Sequence, residues 1–180
     1  MSAATLQQVT HLARIGLKGP NAAAWLRQQG IAVPERANSW CVTNEDEQNI
    51  CVRLGSAEFF LEQTDGNVLR RLNAELATYL PGVYPVLRED CAVLLSGAGA
   101  DEVLAQLCNV NFAALRTEAR EAVMTLMIGV AVTVVPQGNA AHRRYRIWCD
   151  PSYGDYLWSS LQDVVQPDPV DTTRDLGGIR

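Results

Sequence analysis

Histidine is almost missing from this chain of 180 residues: His11 and His142 are the only two, too few for a histidine-based metal site. Basic excess is missing too. Fifteen lysines and arginines against twenty acidic residues leave a net charge of -5 at pH 7, so no surplus exists to neutralise phosphates, and nucleic-acid binding as a main activity is disfavoured. Arg70-Arg71 and His142-Arg143-Arg144 read as solvated faces. Long apolar runs are also lacking. The stretch from Val123 to Val135 is short and broken by Thr125, Gly129 and Thr133, and Met1 to Gln8 has neither the charged nor the apolar region of a signal peptide. A soluble cytoplasmic protein without a membrane partner is expected. Five cysteines, Cys41, Cys51, Cys91, Cys108 and Cys149, form no Cys-x-x-Cys pair and have no histidine at ligand spacing, which excludes the common zinc patterns. They read as reduced, mostly buried residues.

What the sequence does contain is a copy of part of itself. Leu17-Lys18-Gly19-Pro20-Asn21-Ala22-Ala23-Ala24-Trp25-Leu26 returns as Leu95-Ser96-Gly97-Ala98-Gly99-Ala100-Asp101-Glu102-Val103-Leu104. Over 17–29 and 95–107 a leucine, a glycine, an alanine, a second leucine and a glutamine coincide. Each copy is a strand, a glycine turn and a helix, and each opens a block that closes with another strand and helix. With 48% hydrophobic residues, there is enough apolar material for one pseudo-duplicated domain over 1–165, with halves at about 8–82 and 83–165.

In the first half, Leu12 to Lys18 alternates as a strand, Gly19-Pro20 turns the chain, and Asn21 is placed to cap a helix with Ala22, Trp25 and Leu26 on one face until Gly30. Ser39 to Thr43, Asn49 to Leu54 and Glu58 to Glu62 read as an antiparallel meander. Leu69, Leu72, Leu76 and Leu80 keep helical spacing until Pro81-Gly82. The second half repeats the order: strand Cys91 to Leu95, helix Ala100 to Cys108, strands near Val123 to Ile128, Val130 to Val135 and Arg144 to Asp150, and helix Ser152 to Val165. In that last helix Tyr153, Tyr156, Leu157, Leu161 and Val164 make one apolar stripe. Residues 166–180, with Pro167, Pro169, Gly177 and Gly178, read as an extended or flexible tail. The fold class is α+β, with two halves of antiparallel strands and helices.

Gln8-Val9-Thr10-His11-Leu12 through Leu17-Lys18-Gly19, with the run Cys91 to Leu104, resembles the folate-binding domain of the glycine-cleavage aminomethyltransferases. Within that superfamily, Arg14-Ile15-Gly16-Leu17-Lys18-Gly19-Pro20 with Ala24-Trp25-Leu26, then Leu107-Cys108, then Tyr145-Arg146-Ile147-Trp148-Cys149-Asp150 into Ser152 to Trp158, is similar to the gamma-subunit family of heterotetrameric sarcosine oxidase. The likeness covers about residues 8–165. It implies a noncatalytic subunit that supports assembly of a complex oxidatively demethylating sarcosine or a related N-methyl amino acid. The same resemblance implies partner subunits: an alpha chain holding NAD and a tetrahydrofolate site, a beta chain carrying FAD and sharing FMN with alpha, and a delta chain binding zinc. None of these cofactors is expected on this chain alone.

The departures from the superfamily matter as much. His11 fits the histidine of an Asp-Val-Ser-His-like opening, but Gln8 stands where the aspartate would be. The segment expected to hold a catalytic aspartate is here Asn49-Ile50-Cys51-Val52-Arg53-Leu54, without a carboxylate, which removes the obvious acid or base. Where a Gly-Tyr-Thr-Gly-Glu segment would offer a glutamate to the pterin amide, this chain has Gln137-Gly138-Asn139-Ala140-Ala141-His142. His11 is expected to be a satisfied structural histidine and His142 a solvated one. The acidic run Glu45-Asp46-Glu47 in a turn is not expected to bind metal alone. Gly97-Ala98-Gly99 lacks the third glycine of a dinucleotide fingerprint, and no Gly-x-Ser-x-Gly elbow is present. No catalytic or metal residue is therefore assigned, and the cofactor-binding residues stay open. Two other readings also stay open: a free-standing tetrahydrofolate-binding or aminomethyltransferase-like protein, and a general protein-interaction module.

Overall fold

The computed structural model describes residues 3–139 and 142–166. Along them run β1 (Thr5–Gln8), β2 (Ala13–Lys18), α1 (Ala22–Gln28), β3 (Ser39–Val42), β4 (Ile50–Leu54), β5 (Glu58–Gln63) and α2 (Gly66–Leu76). Then come β6 (Tyr84–Val86), β7 (Cys91–Ser96), α3 (Ala100–Leu107), β8 (Val123–Met127), β9 (Val130–Asn139), β10 (His142–Cys149) and α4 (Gly154–Val165). None of these helices is long and apolar enough to cross a membrane.

The strands form two antiparallel five-stranded sheets, one ordered β3-β4-β5-β2-β6 and the other β8-β9-β10-β7-β1. The two orders match position for position, so the repeat seen in sequence is a repeat of whole sheets. Each repeat contributes a leading strand, a strand, a helix, a three-stranded meander and a second helix. The leading strands are exchanged. β1 precedes β2 in the chain but pairs with β7, with Thr5 opposite Ser96; β6 precedes β7 but pairs with β2, with Tyr84 opposite Lys18. Each sheet is thus completed by the other repeat, and a division at 82/83 separates β6 from the sheet it belongs to.

This exchange explains why the repeated motif keeps its glycine. Gly19 and Gly97 both have positive φ, 129° and 105°, a region that only glycine enters without steric cost. A Cβ at Gly19 would collide with the Gly82 carbonyl, and one at Gly97 with the Ala3 carbonyl. Those carbonyls stand just before β6 and β1, and each accepts an N–H from the strand-to-helix turn: Asn21 N–H to Gly82 at 3.0 Å and Gly99 N–H to Ala3 at 3.2 Å. The glycine turn is therefore the socket of the exchanged strand.

Layering follows from strand alternation. In the first sheet Phe59 and Leu61 face α1 and α2, packing with Trp25, Leu26, Leu69 and Leu72. In the second, Leu95, Tyr145 and Ile147 face α3 and α4, packing with Val103, Leu104, Leu157 and Leu161. The opposite faces meet each other: Trp40, Ile50, Val52 and Phe60 pack against Ala92, Val135 and Trp148. The result is four layers, helix-sheet-sheet-helix. Fully burying a leucine or phenylalanine contributes about 1.5–3 kcal/mol, and these layers bury dozens of apolar side chains.

Local differences from the sequence reading have local causes. Asn21 makes no side-chain cap on α1; its Nδ2 donates instead to the Pro81 carbonyl, holding the approach to β6. Asp65 is the residue that caps, accepting from Asn67 N–H at the start of α2. That helix stops at Leu76 rather than Leu80, where the Thr78 hydroxyl bonds the Glu75 carbonyl. The short β1 and β6 carry no alternation long enough to read. In α4 the expected single stripe splits: Leu157 and Leu161 are buried, whereas Tyr153 and Tyr156 are 51% and 54% exposed. The tail expected over 166–180 lies, from 167 onward, outside the described residues.

Strand exchange predicts how the chain behaves when cut. Fragments 1–82 and 83–180 expressed separately each lack an edge strand of their sheet, so each should give poorly dispersed amide NMR spectra, and mixing them should restore native dispersion. Two well-folded isolated fragments would contradict the exchange.

Candidate functional site

On β5 the alternation that sends Phe59 and Leu61 to the helices sends Phe60 and Glu62 into the gap between the sheets. Glu62 is completely buried. Its Oε1 accepts from Arg146 at 2.6 Å, and its Oε2 accepts from the Trp148 indole N–H at 2.8 Å and from Arg14 Nε at 2.5 Å. Arg14 comes from β2, while Arg146 and Trp148 come from the inner face of β10. One carboxylate therefore bridges both sheets. Both guanidiniums have side chains under 5% exposed, and both also donate to main-chain carbonyls, with Arg146 Nε left buried without a partner. Arg14 reaches Val9, Thr10 and Asp90, and Arg146 reaches Gln48. Trp148 adds an edge-to-face contact with Phe60, ring centres 5.0 Å apart. By sheet register Glu62 and Trp148 occupy equivalent positions in the two repeats, as do Phe60 and Arg146, so this cluster sits where the repeats meet.

Trp148 also lines a cleft of about 500 Å³. Its walls are the connector Leu87–Asp90, the strand residues Met124, Thr125, Ala131 and Thr133, and the end of β10 at Asp150. Arg88 lies with its cation 5.3 Å from the centre of the Phe60 ring and pairs with Glu58 at 2.7 Å and Asp90 at 3.6 Å. The Asp90 Oδ2 atom is buried without a partner. The Ser152 hydroxyl and N–H donate to Asp150 and hold its carboxyl below the usual range. Burial, followed by the neighbours Cys91, Asp90 and Asp150, pushes the Cys149 thiol up to about 11, so it is no nucleophile at neutral pH. The cleft is acidic, and it holds neither a histidine nor an activated thiol. Among the described residues no cluster of three or more His, Cys, Asp or Glu side chains is placed to hold a metal.

A second polar group fastens the start of α3. The Tyr145 hydroxyl donates to Asp101 Oδ1, and Arg143 reaches both the Tyr145 oxygen and the Phe112 and Leu115 carbonyls. Burial first, then the bond to Asp101, pushes Tyr145 up to about 12.

The structure disperses the residues that sequence reading singled out. His11 is exposed in the turn between β1 and β2, correcting its reading as a satisfied structural residue; the bonds that fasten this turn are made by Val9 and Thr10. His142 is exposed at the start of β10, as expected. Asp46 is spent on Gln48 and Asn49 of its own turn and on Thr64 just after β5, and Glu47 pairs with Arg144 at 2.6 Å. Asn49–Leu54 turns Ile50, Cys51, Val52 and Leu54 inward and buries Asn49, whose side chain bonds Asn44, Asp46 and Thr64, while Arg53 donates to the Pro34, Glu35 and Ser56 carbonyls. Gln8 is exposed. Of the segment 137–142, Gln137 is buried and donates to the Glu47 carbonyl, while Ala140 and Ala141 lie outside the described residues. All five cysteines are free. Cys41 lies opposite Cys51 and Cys91 opposite Cys149 on neighbouring strands, and burial pushes Cys41 and Cys51 up.

The cluster itself, Glu62 with Arg14, Arg146 and Trp148, is what sequence reading missed. Its signal was present: Glu62 closes the run Glu58 to Glu62 on the same strand face as Phe60, and Arg146 stands inside the apolar run Tyr145, Ile147, Trp148 and Cys149.

Removing the Glu62 carboxylate strands two buried cations, a loss of about 3–5 kcal/mol. Glu62→Leu should lower unfolding stability by that amount in urea titrations. Glu62→Leu combined with Arg146→Met should cost less than the sum of the two, and strict additivity would contradict the bridge. The raised Tyr145 pKa sets a pH window. The folded state holds this proton more tightly than the unfolded chain, so its contribution is full below about pH 10 and is lost as pH rises through about 12. Tyr145→Phe should flatten that alkaline fall in stability, measured by thermal unfolding at a series of pH values.

No family model and no curated protein matches this sequence. Solved structures do. A chain of the heterotetrameric sarcosine oxidase from Corynebacterium sp. U-96, in complex with pyrrole 2-carboxylate, superposes with a TM-score of 0.69 at 20% identity, over 90% of this chain and 83% of that one. The glycine cleavage system aminomethyltransferase T from Bartonella henselae superposes with a TM-score of 0.69 at 16% identity, over 89% of this chain and 46% of that one. This chain thus spans less than half the length of the transferase. Its two antiparallel sheets and four flanking helices have the aminomethyltransferase-like fold.

Proposed function

We propose that this chain is a noncatalytic, gamma-type subunit of a cytoplasmic flavoenzyme complex resembling heterotetrameric sarcosine oxidase, where it supports assembly. The observation that carries this reading is the state of Glu62. Among the described residues the one fully buried carboxylate between the sheets has both oxygens occupied by Arg14, Arg146 and Trp148, so it is not free to accept a proton from a substrate. The catalytic groups, with FAD, FMN, NAD and tetrahydrofolate, would then belong to alpha and beta partners and zinc to a delta partner.

A free-standing folate-binding role is the second reading, favoured by the cleft, whose volume lies in the range of small-molecule sites. The paired donors of a pterin amide need both oxygens of one carboxylate. Within the cleft Asp90 gives one oxygen towards Arg88 and Asp150 gives one to Ser152, which leaves Glu89, exposed on the connector, as the carboxylate that could meet such a pair.

Co-expression with the products of neighbouring genes should yield a complex containing this chain and flavin-bearing subunits, read by flavin absorbance of the purified material. A stable, flavin-free monomer under those conditions would overturn the subunit reading. Calorimetric titration of the isolated chain with tetrahydrofolate should show no heat of binding; a dissociation constant near micromolar, about 8 kcal/mol, would establish the second reading instead.

A further inference from the structure

The inner face of the second sheet is covered by the first sheet only in part. At its β8–β9 corner Met124 and Leu126 are 54% and 62% exposed, Ala131 beside them is exposed, and Leu87 on the facing connector is 79% exposed. The pseudo-equivalent corner of the first sheet is different: by register Val42 corresponds to Met124 and Ile50 to Thr133, and there Val42 is half-buried and Ile50 fully buried. The bare corner also has an open backbone edge. β8 ends its sheet, and between the bridges that tie Glu121 to Ser39 and Met127 to Cys108 no strand lies along its outer side among the described residues. An uncapped strand edge beside exposed apolar side chains is a template for strand addition.

Charge selects the occupant. Arg88 is already paired with Glu58 and Asp90, whereas Glu89 and Asp150 border the same cleft with no basic side chain against them among the described contacts. Asp90 Oδ2 is buried there without a donor. A second copy of this acidic chain would bring like charge to the cleft. We propose that the β8 edge and the adjoining cleft receive an extended segment of a partner subunit that carries apolar residues and a lysine or arginine on one face, at every second position. The apolar residues would lie against Met124, Leu126 and Leu87, and a basic residue would meet Glu89, Asp90 and Asp150. This rests on the subunit reading for the partner's identity and on the surface itself for its chemistry.

Amide hydrogen exchange tests it in two arms. In the co-expressed complex, residues 123–126 should exchange at least about tenfold more slowly than in the isolated chain. Met124→Asp with Leu126→Asp should cut recovery of flavin-bearing partner about tenfold, while Tyr79→Glu, an exposed control beyond α2, leaves it unchanged. In the second arm the isolated chain is titrated with a synthetic peptide whose every second residue is valine or lysine, with serine between, and, as control, the same peptide with glutamate in place of lysine. The basic peptide should protect 123–126 and the acidic one should not. A complex that forms with protection elsewhere and tolerates the β8 substitutions overturns this inference and leaves the subunit reading standing. Failure to form a complex while the basic peptide still protects β8 overturns the subunit reading and supports the surface. If neither the complex nor the basic peptide protects β8, the inference is overturned.

Discussion

Everything else in the molecule is arranged around one carboxylate taking charge-assisted hydrogen bonds from two guanidiniums and an indole in a space closed to water. Glu62 belongs to the first repeat with Arg14, and Arg146 and Trp148 belong to the second. A buried ion cluster is seldom the cheapest filling for a core, since desolvation offsets much of the attraction. What it contributes is directionality. Apolar sheet faces slide over one another at little cost, but a carboxylate holding three donors from opposite sheets admits one relative position. The surplus positive charge of the two arginines is shared among four main-chain carbonyls. Two of them, Val9 and Thr10, belong to the turn after β1, so the cluster also pins the exchanged strand.

The same cluster bears on chemistry. A carboxylate that spends both oxygens on fixed donors has been converted from a reagent into a fastener. In the neighbouring cleft, Cys149 is held protonated at neutral pH and Asp90 leans on Arg88. Glu62 holds the two sheets together, and Arg88, paired with Glu58 and Asp90, holds the connector Leu87–Asp90 against β5.

Much of the architecture was legible in the sequence because it is written in local periodicity. Leu69, Leu72 and Leu76 declare α2, Ser39 to Gln63 declares a meander, and the shared glycine at 19 and 97 declares the repeat. The exchange of leading strands was not legible, since Thr5–Gln8 and Tyr84–Val86 are too short for a pattern and nothing local says which sheet a strand joins. The Glu62 cluster was hidden for a related reason. Arg14, Glu62 and the neighbours Arg146 and Trp148 stand about 50 to 130 residues from one another, and a charged residue inside an apolar strand announces that it needs a partner without naming one. His11 misled because nearness to a strand was taken for membership of it.

The exchanged strands set an order on folding. β1 is made about 90 residues before the strand it pairs with, which begins at Cys91 and is itself flanked by β10, ending at Cys149. At about 5–20 residues per second, the first strand waits several seconds with both edges open before its neighbours exist. Contacts this distant in sequence also slow folding, because the entropy of loop closure is lost before any pairing offsets it. During that wait the exposed edges of β1 and of the unfinished first sheet are open to other chains, so a chaperone or a cotranslationally assembled partner would act most usefully before residue 150 has been made.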